Sequence, residues 1–457
     1  MSTLKPYPAY KPAAVPWLEQ VPEHWEEMKV KYIFRERIEK GYPSEPLLAA
    51  TQSMGVVTKE TYGERTVTAQ KDLHLLKLVE KEDFVISLRS FQGGIEVSHA
   101  RGIISPAYTI LRINRPCAPG YLAFLLKSAP FIDGLKLFIT GIREGQNIDY
   151  VRLSRTLLPW PSLDEQHLIV RYLHALDAKV KRYIRTKRKL IAALQEQKQA
   201  IIQQAVTRGL NPNVKLKPSG VEWLGEVPEH WEVVRSNRLF RHRKERARDG
   251  DRQLTASQKY GVIPQDKFME LEGRRVMQVF LDADILKHVE AGDFVISMRS
   301  FQGGLEYSEH SGCISSAYIP IVSQGAVHTG FFKYLFKCDS YIKALASTSD
   351  LVRDGQAMRF DNFRAVDLVL IPLDEQRRIS EYLTTKLKEE TLTIERIERE
   401  IVLMKEYHTR LIADVVTGAV DVRAAAKAMA VEVPEGTEEE PVSIAAEGEA
   451  EYGNSEE

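Results

Sequence analysis

The stretch DFVISLRSFQGG at Asp83–Gly94 returns as DFVISMRSFQGG at Asp293–Gly304, identical at eleven of twelve positions with an offset of 210. At that offset SPAY (Ser105–Tyr108) returns as SSAY (Ser315–Tyr318), REGQ (Arg143–Gln146) as RDGQ (Arg353–Gln356), and LDEQ (Leu163–Gln166) as LDEQ (Leu373–Gln376). Further upstream, KPAAVPWLEQVPEHWE from Lys11 is matched by KPSGVEWLGEVPEHWE from Lys217, an offset of 206. Self-similarity held over such a distance means one module present twice.

Each module reads in two parts. The first carries short β-type runs such as FVISL, YTILRI and AVDLVLIPL between turns rich in Gly, Pro and Asn, which predicts a mixed α/β globular domain. The second begins after Pro161 or Pro372 and is helical. Ile169, Leu173, Leu176, Val180, Tyr183, Leu190, Leu194 and Ile201 alternate by fours and threes in the first copy. Leu383, Leu387, Ile394, Ile397, Ile401, Met404, His408, Leu411 and Val415 do so in the second. A 3.5-residue apolar repeat over about six heptads predicts coiled-coil packing. Asp and Glu in each first turn suit the positive end of the helix dipole.

The expected fold class is therefore α+β. Two mixed α/β domains stand in a pseudo-two-fold tandem repeat, separated by an antiparallel pair of long coiled-coil helices. The expected boundaries are a flexible N-terminus over 1–16, a first domain over 17–162 and a first long helix over 163–210. A linker and second domain over 211–372 follow, then a second long helix over 373–420 and an acidic, disordered tail over 421–457. Helices of about 40 residues are about 60 Å long. Packed antiparallel, they are expected to hold the domains at opposite ends, although pairing between two chains would satisfy the same seams.

The net charge of zero hides a segregation. Val431–Glu457 holds ten Glu and no Lys, Arg or Asp, so positions 1–430 carry 63 basic against 53 acidic residues. A moderately basic body suits a polyanionic partner without requiring one. The first helix is uneven too, with ten basic and three acidic residues over Glu165–Arg208 and the cluster KVKRYIRTKRK at Lys179–Lys189. Two readings stand for that cluster: a solvated face with charges pairing across helices, or a surface toward DNA or an acidic partner.

No run of 18 apolar residues exists, the N-terminus lacks a signal-peptide stretch, and the three cysteines (Cys117, Cys313, Cys338) are widely spaced. A cytoplasmic protein with no membrane partner is expected. The sequence has no Asn-Pro-Pro-aromatic motif, no glycine loop for S-adenosylmethionine, no Gly-x-x-x-x-Gly-Lys-Ser/Thr phosphate loop and no His/Cys pair at zinc spacing. No catalytic residue, metal or cofactor is expected. Glu23-His24 and Glu229-His230 sit inside PEHWE, where an aromatic clamp closing the domain entrance is a better reading than a metal site.

With WLGEVPEHWEVV, the PLDEQ run into a long helix with Tyr-Leu soon after (Tyr172-Leu173, Tyr382-Leu383), and VTGAVDV at Val416–Val422, the chain resembles the specificity subunit of a type I restriction-modification system. The first copy departs from the pattern with LPWPSLDEQ and WLEQ. The resemblance implies a non-catalytic subunit in bacterial defence whose two target-recognition domains each read half of a split, asymmetric site in double-stranded DNA. It implies paired helices that set the gap and dock two methyltransferase (modification) subunits, with restriction/translocase subunits as further partners. The alternative is a duplicated coiled-coil adaptor that binds protein rather than DNA.

Candidate DNA contacts follow two patterns. Shared segments offer Arg89, Gln92, Arg299 and Gln302 in RSFQGG and Arg143, Gln146, Arg353 and Gln356 in the R-acidic-G-Q segments. Arginine can hold phosphate and glutamine can pair with adenine. Against this, SFQGG is equally readable as a strand's turn, and identity between copies favours positioning or scaffold over base reading. Divergent stretches, 42–78 and 251–287, offer Gln52, Lys59, Arg65, Gln258, Lys259, Arg274 and Arg275. The helix-pair or partner-docking candidates are Ile169, Leu173, Leu176, Val180, Leu190, Leu194, Ile201, Leu383, Leu387, Ile394, Ile397, Ile401, Met404 and Leu411.

Overall fold

In the computed structural model the FVI of each copy becomes a central strand, Phe84–Ile86 and Phe294–Ile296, buried along its whole length. A strand covered on both faces needs apolar residues at every position rather than at alternate ones. The structure describes residues 4–63, 72–140, 147–273, 285–298, 300–348 and 358–429. They fall into two compact units, one of Met1–Thr186 with Arg399–Glu457 and one of Lys187–Glu398.

In the first unit, a four-stranded antiparallel sheet runs Phe34–Arg37, Thr109–Ile113, Phe84–Ile86, Glu96–Val97, with Ile110 opposite Val85 and Leu111 opposite Phe84. Successive side chains point to opposite faces. Val85 accordingly joins a small core of Leu48, Val56, Val79, Ile104 and Ile110. Phe84 turns the other way and meets Phe34 edge-on at 5.3 Å. Leu48 and Val56 belong to a hairpin, Leu48–Thr51 with Gly55–Thr58, so burying them seats that hairpin on the sheet.

The second unit repeats the plan with Phe240–His242, Ile319–Ser323, Phe294–Ile296 and Glu306–Tyr307. Its hairpin pairs Leu254–Ser257 with Gly261–Pro264. Phe294 and Ile296 enter a large core with Phe240, Phe332 and Phe336, whereas Val295 enters a smaller one with Leu254, Val262, Val289 and Ile314. Asp83 and Asp293, which open the repeated run, are buried against Arg37 and Arg243 at 2.7 and 2.6 Å. Each also accepts a backbone N–H, from Glu80 or Glu290. Such pairing is what a buried carboxylate requires.

The helical halves form as expected, over Leu163–Arg208 and Leu373–Val416. The division between units falls within both. In the first unit Asp177 lies 3.6 Å from His408, and the Tyr183 hydroxyl donates to Glu400 at 3.2 Å. One number rises as the other falls, so the two segments run antiparallel. In the second unit the Lys198 ammonium donates to the Thr391 hydroxyl at 2.7 Å.

Ile169, Leu173, Leu176, Val180, Leu383, Leu387, Ile394, Ile397, Ile401 and Leu411 are buried, and Leu194, Ile201 and Met404 are half-buried. Leu190 departs from its expected seam position: it is 44% exposed, while Ile184 is buried and Ile191 half-buried. The first helix thus keeps a period nearer 3.6 than 3.5. An unsupercoiled helix drifts by about 20° per heptad against a strict seven-residue repeat.

Within the N-terminal stretch, expected to be flexible, residues 5, 7 and 10–12 are held in place instead. Tyr7 is buried and its hydroxyl donates to Glu165 at 2.7 Å, the Asp421 N–H donates to the Lys5 carbonyl at 2.8 Å, and Tyr10–Pro12 pairs with Gln20–Pro22. A buried carboxylate and an aromatic pocket hold a segment whose composition looks like a tail.

Candidate nucleic-acid interface

Thr51 Oγ1 accepts the Met54 N–H at 2.9 Å and donates to the Gly55 carbonyl, closing the hairpin turn. Ser257 Oγ does the equivalent in the second unit, accepting from the N–H groups of Lys259 and Tyr260. Gly55 and Gly261 each have φ near +70° and face a carbonyl of the edge strand, Val97 or Tyr307. The turn so formed exposes one glutamine in each unit, Gln52 and Gln258.

Beside that turn lies the short helix of the repeated segment, Ser90–Gly93 or Ser300–Gly303. Ser90 and Ser300 are buried and accept the N–H of Ser87 and Ser297, fixing the strand exit. Gly93 and Gly303 leave the space that the glutamine side chains fill. A Cβ on Gly93 would stand 2.7 Å from the Gln52 amide carbon, and one on Gly303 would stand 2.6 Å from that of Gln258. Gly94 and Gly304 follow at positive φ, tight against the backbone carbonyls of Leu126 and Phe336.

An ion pair built on a buried glutamate lies next to this arrangement in both units. Lys127 Nζ donates to Glu96 at 2.6 Å and to the Gln52 carbonyl at 3.0 Å. Lys337 Nζ donates to Glu306 at 2.7 Å and to the Gly303 carbonyl at 2.8 Å. Burial pushes the Glu96 carboxyl up to about 7 against the pull of Lys127, and raises Glu306 likewise. The ammonium therefore ties the turn or the short helix to the sheet edge that carries the glutamate. These four residues were not among the sequence candidates. A signal existed: each is a lone charge in an apolar run (GGIEV and GGLEY, FLLKS and YLFKC) repeated at the common offset.

The structure brings Gln52 of a divergent stretch together with the helix bearing Gln92, and Gln258 with the helix bearing Gln302. Arg89, Gln92 and Gln302 are exposed there. Lys59 is half-buried at the start of the next helix, Lys59–Tyr62. Lys259 is exposed beside the Tyr260 ring, 3.7 Å from Glu272. Arg65, Arg143, Gln146, Arg274, Arg275, Arg299, Arg353 and Gln356 lie outside the described residues, as does the acidic run from Val431. An exposed amide edge can make paired hydrogen bonds to adenine, and a guanidinium can hold a phosphate.

The PEHW and LDEQ motifs meet. His24 Nε2 lies 2.9 Å from Glu165 and His230 Nε2 2.8 Å from Glu375, while Trp25 and Trp231 are fully buried. Gln166 accepts the Ala118 N–H and donates to the Pro161 carbonyl. Gln376 accepts the His328 N–H at 2.7 Å and donates to the carbonyls of Ala326 and Ile371. Each long helix is thereby joined through its first turn to a globular domain of its own unit. No three His, Cys, Asp or Glu side chains gather as a metal site among the described residues, and no helix there is long and apolar enough to cross a membrane.

No family model and no curated protein matches the sequence. Among solved structures the chain is similar to one described as "Structural basis underlying complex assembly and conformational transition of the type I R-M system". The identity is 16% and the TM-score 0.59, with 87% of this chain and 99% of that chain covered. The fold is shared. Weaker similarity extends to the HsdS subunit from Thermoanaerobacter tengcongensis (16% identity, TM-score 0.43, 87% and 96% covered). It extends also to a type I restriction-modification S subunit from M. genitalium (11% identity, TM-score 0.31, 88% and 98% covered).

Proposed function

We propose that this chain, sharing the fold of a type I restriction-modification protein, is the non-catalytic specificity subunit of such a complex in the cytoplasm. Its recognition domains, 17–162 and 211–372, each read one half of a bipartite site in double-stranded DNA. Its long helices set the gap between the halves and dock two methyltransferase subunits, which restriction/translocase subunits join.

The observation that carries this reading is the repeated edge of glutamine set against glycine. Two units with the same exposed amides, stapled by the same Lys–Glu pair, suit a protein that meets one chemistry twice. Two tethered readers gain affinity from effective concentration when the tether holds them at the right span. Gln52 and Gln258, from the divergent stretches, are assigned to base edges, and Arg89, Gln92 and Gln302 to positioning on the DNA backbone. Lys59 and Lys259, and outside the described residues Arg65, Arg143, Gln146, Arg274, Arg275, Arg299, Arg353 and Gln356, complete the assigned surface.

Single-molecule methylome sequencing of cells carrying this chain with its methyltransferase partner tests the reading. A split, asymmetric methylated motif that disappears when the chain is deleted is expected. Unchanged methylation, with the purified chain ignoring duplex DNA whether or not the partner is present, leaves the protein-binding adaptor as the answer.

A further inference from the structure

On the first long helix, within the first unit, Leu176, Val180 and Ile184 are buried while Lys179, Lys181, Arg182 and Arg185 are exposed. At about 100° per residue, Lys179, Arg182 and Arg185 fall within an arc of roughly 120° on the side opposite those three apolar residues. Lys181 pairs with Asp177 one turn back, at 3.0 Å. Lys179, Arg182 and Arg185 have no acidic partner within ion-pair distance among the described residues. Cross-helix pairing, one reading of the cluster, therefore leaves this face uncompensated.

The same unit holds the last described helix, Arg423–Met429. Arg423 pairs with Asp421 at 2.7 Å and lies 3.9 Å from Glu165, in the first turn of the long helix. From Glu165 to Lys179 and Arg185 the helix rises about 21 and 30 Å. After Met429 come 28 more residues, with ten Glu and no Lys or Arg. A chain of that length can reach up to roughly 90 Å, so the distance is no obstacle.

We propose that the acidic segment Glu432–Glu457 docks on the basic face formed by Lys179, Lys181, Arg182 and Arg185 of the same chain, as a polyanion occupying a polycation surface. Its effect is to cover cationic helix surface that would otherwise collect nucleic acid regardless of sequence. Sequence-independent affinity is the part of DNA binding that such charges supply, and a competing carboxylate cluster suppresses it. The docking itself does not depend on the proposed function; only its effect on DNA does.

Zero-length carbodiimide coupling of the dilute full-length chain, read by mass spectrometry, tests the docking directly. Amide links from Lys179 and Lys181 to glutamates of 432–457 are expected, and they should vanish at 1 M salt, where the screening length is about 3 Å. Absence of these links at low salt overturns the proposal. So does their appearance mainly between differently isotope-labelled chains. A second arm measures binding to a random duplex at low salt. Replacing the ten glutamates by glutamine should tighten it at least about fivefold. The same replacement should do nothing in a chain that already carries Lys179→Gln, Arg182→Gln and Arg185→Gln. If the basic-face substitutions weaken binding equally with and without the tail charges, DNA occupies this face and the proposal fails. If no duplex binds under any condition, the proposed function falls, and the coupling result still decides the docking.

Discussion

The amide of Gln52 fills the space of a Cβ that Gly93 lacks, 2.7 Å from where that atom would stand. Gly93→Ala therefore pushes on the far end of a flexible exposed side chain, whereas Gly94→Ala pushes on the backbone carbonyl of Leu126 at φ +83°. The two neighbours should separate cleanly. Gly94→Ala is expected to cost about 2 kcal/mol or more of stability, from the left-handed backbone and the clash. Gly93→Ala should cost less than about 1 kcal/mol yet weaken specific DNA binding about tenfold by displacing one amide. Denaturant unfolding and competition gel shifts on both variants give the comparison. Equal stability losses with unchanged binding would remove Gln52 from the reading surface.

Gln376 is fully buried and bridges three backbone groups, from His328, Ala326 and Ile371. Gln376→Ala strands all three. With about 1–3 kcal/mol for each buried group left unpaired, a loss near 3 kcal/mol is expected once partial relaxation is allowed. Gln376→Glu keeps the acceptor but turns a carboxylate oxygen toward two carbonyls in a buried site, so it should lose at least as much. Chemical denaturation of the three proteins measures the order.

The Glu96 carboxyl, pushed up to about 7 by burial, makes a signed prediction about pH. Between its ordinary value of 4.5 and 7 the folded unit keeps a proton that the unfolded chain has released. Stability from this group is then complete at low pH and is lost as pH rises toward 7. Relative to Glu96→Gln, the wild-type melting temperature should fall from about pH 5 to about pH 7 and level off above. Parallel curves across that interval would mean that Lys127 holds the carboxylate charged throughout.

Much of this was legible in the amino-acid string, and the exceptions have identifiable causes. Phe84, Val85 and Ile86 announce a strand because strand-forming runs are local; that it is covered on both faces is visible only in the fold. The LDEQ helix starts are equally plain. The Lys127–Glu96 pair joins residues 31 positions apart on different elements. Only the repeat, with a stray charge in matching apolar runs, hinted at it. Tyr7 and Glu165 meet across 158 positions, so a polar, proline-rich start gave no sign of its packing. Leu190 leaves the seam because a 3.5-residue and a 3.6-residue repeat stay indistinguishable for about three turns and then diverge. For Gln52 and Gln92 the residue types were visible; their convergence was not.

The proposed measuring role of the helices has its own test. Seven residues inserted into each long helix return the apolar seam to phase while lengthening the helix by about 10 Å. The methylated motif should keep both half-sites and change its gap by at least one base pair. An unaltered gap would assign spacing to some other part of the chain.

The first unit draws on Met1–Thr186 and Arg399–Glu457, while the second is the continuous stretch Lys187–Glu398. During synthesis the later unit is therefore the first to possess its entire chain. The Tyr121 hydroxyl awaits the carbonyl of Val416, and Lys5 awaits Asp421. At about 5–20 residues per second the early half stays open for roughly ten to fifty seconds after its own residues have emerged. The middle of the chain can thus finish folding before the two ends meet, and the first unit closes only when its last stretch has been made.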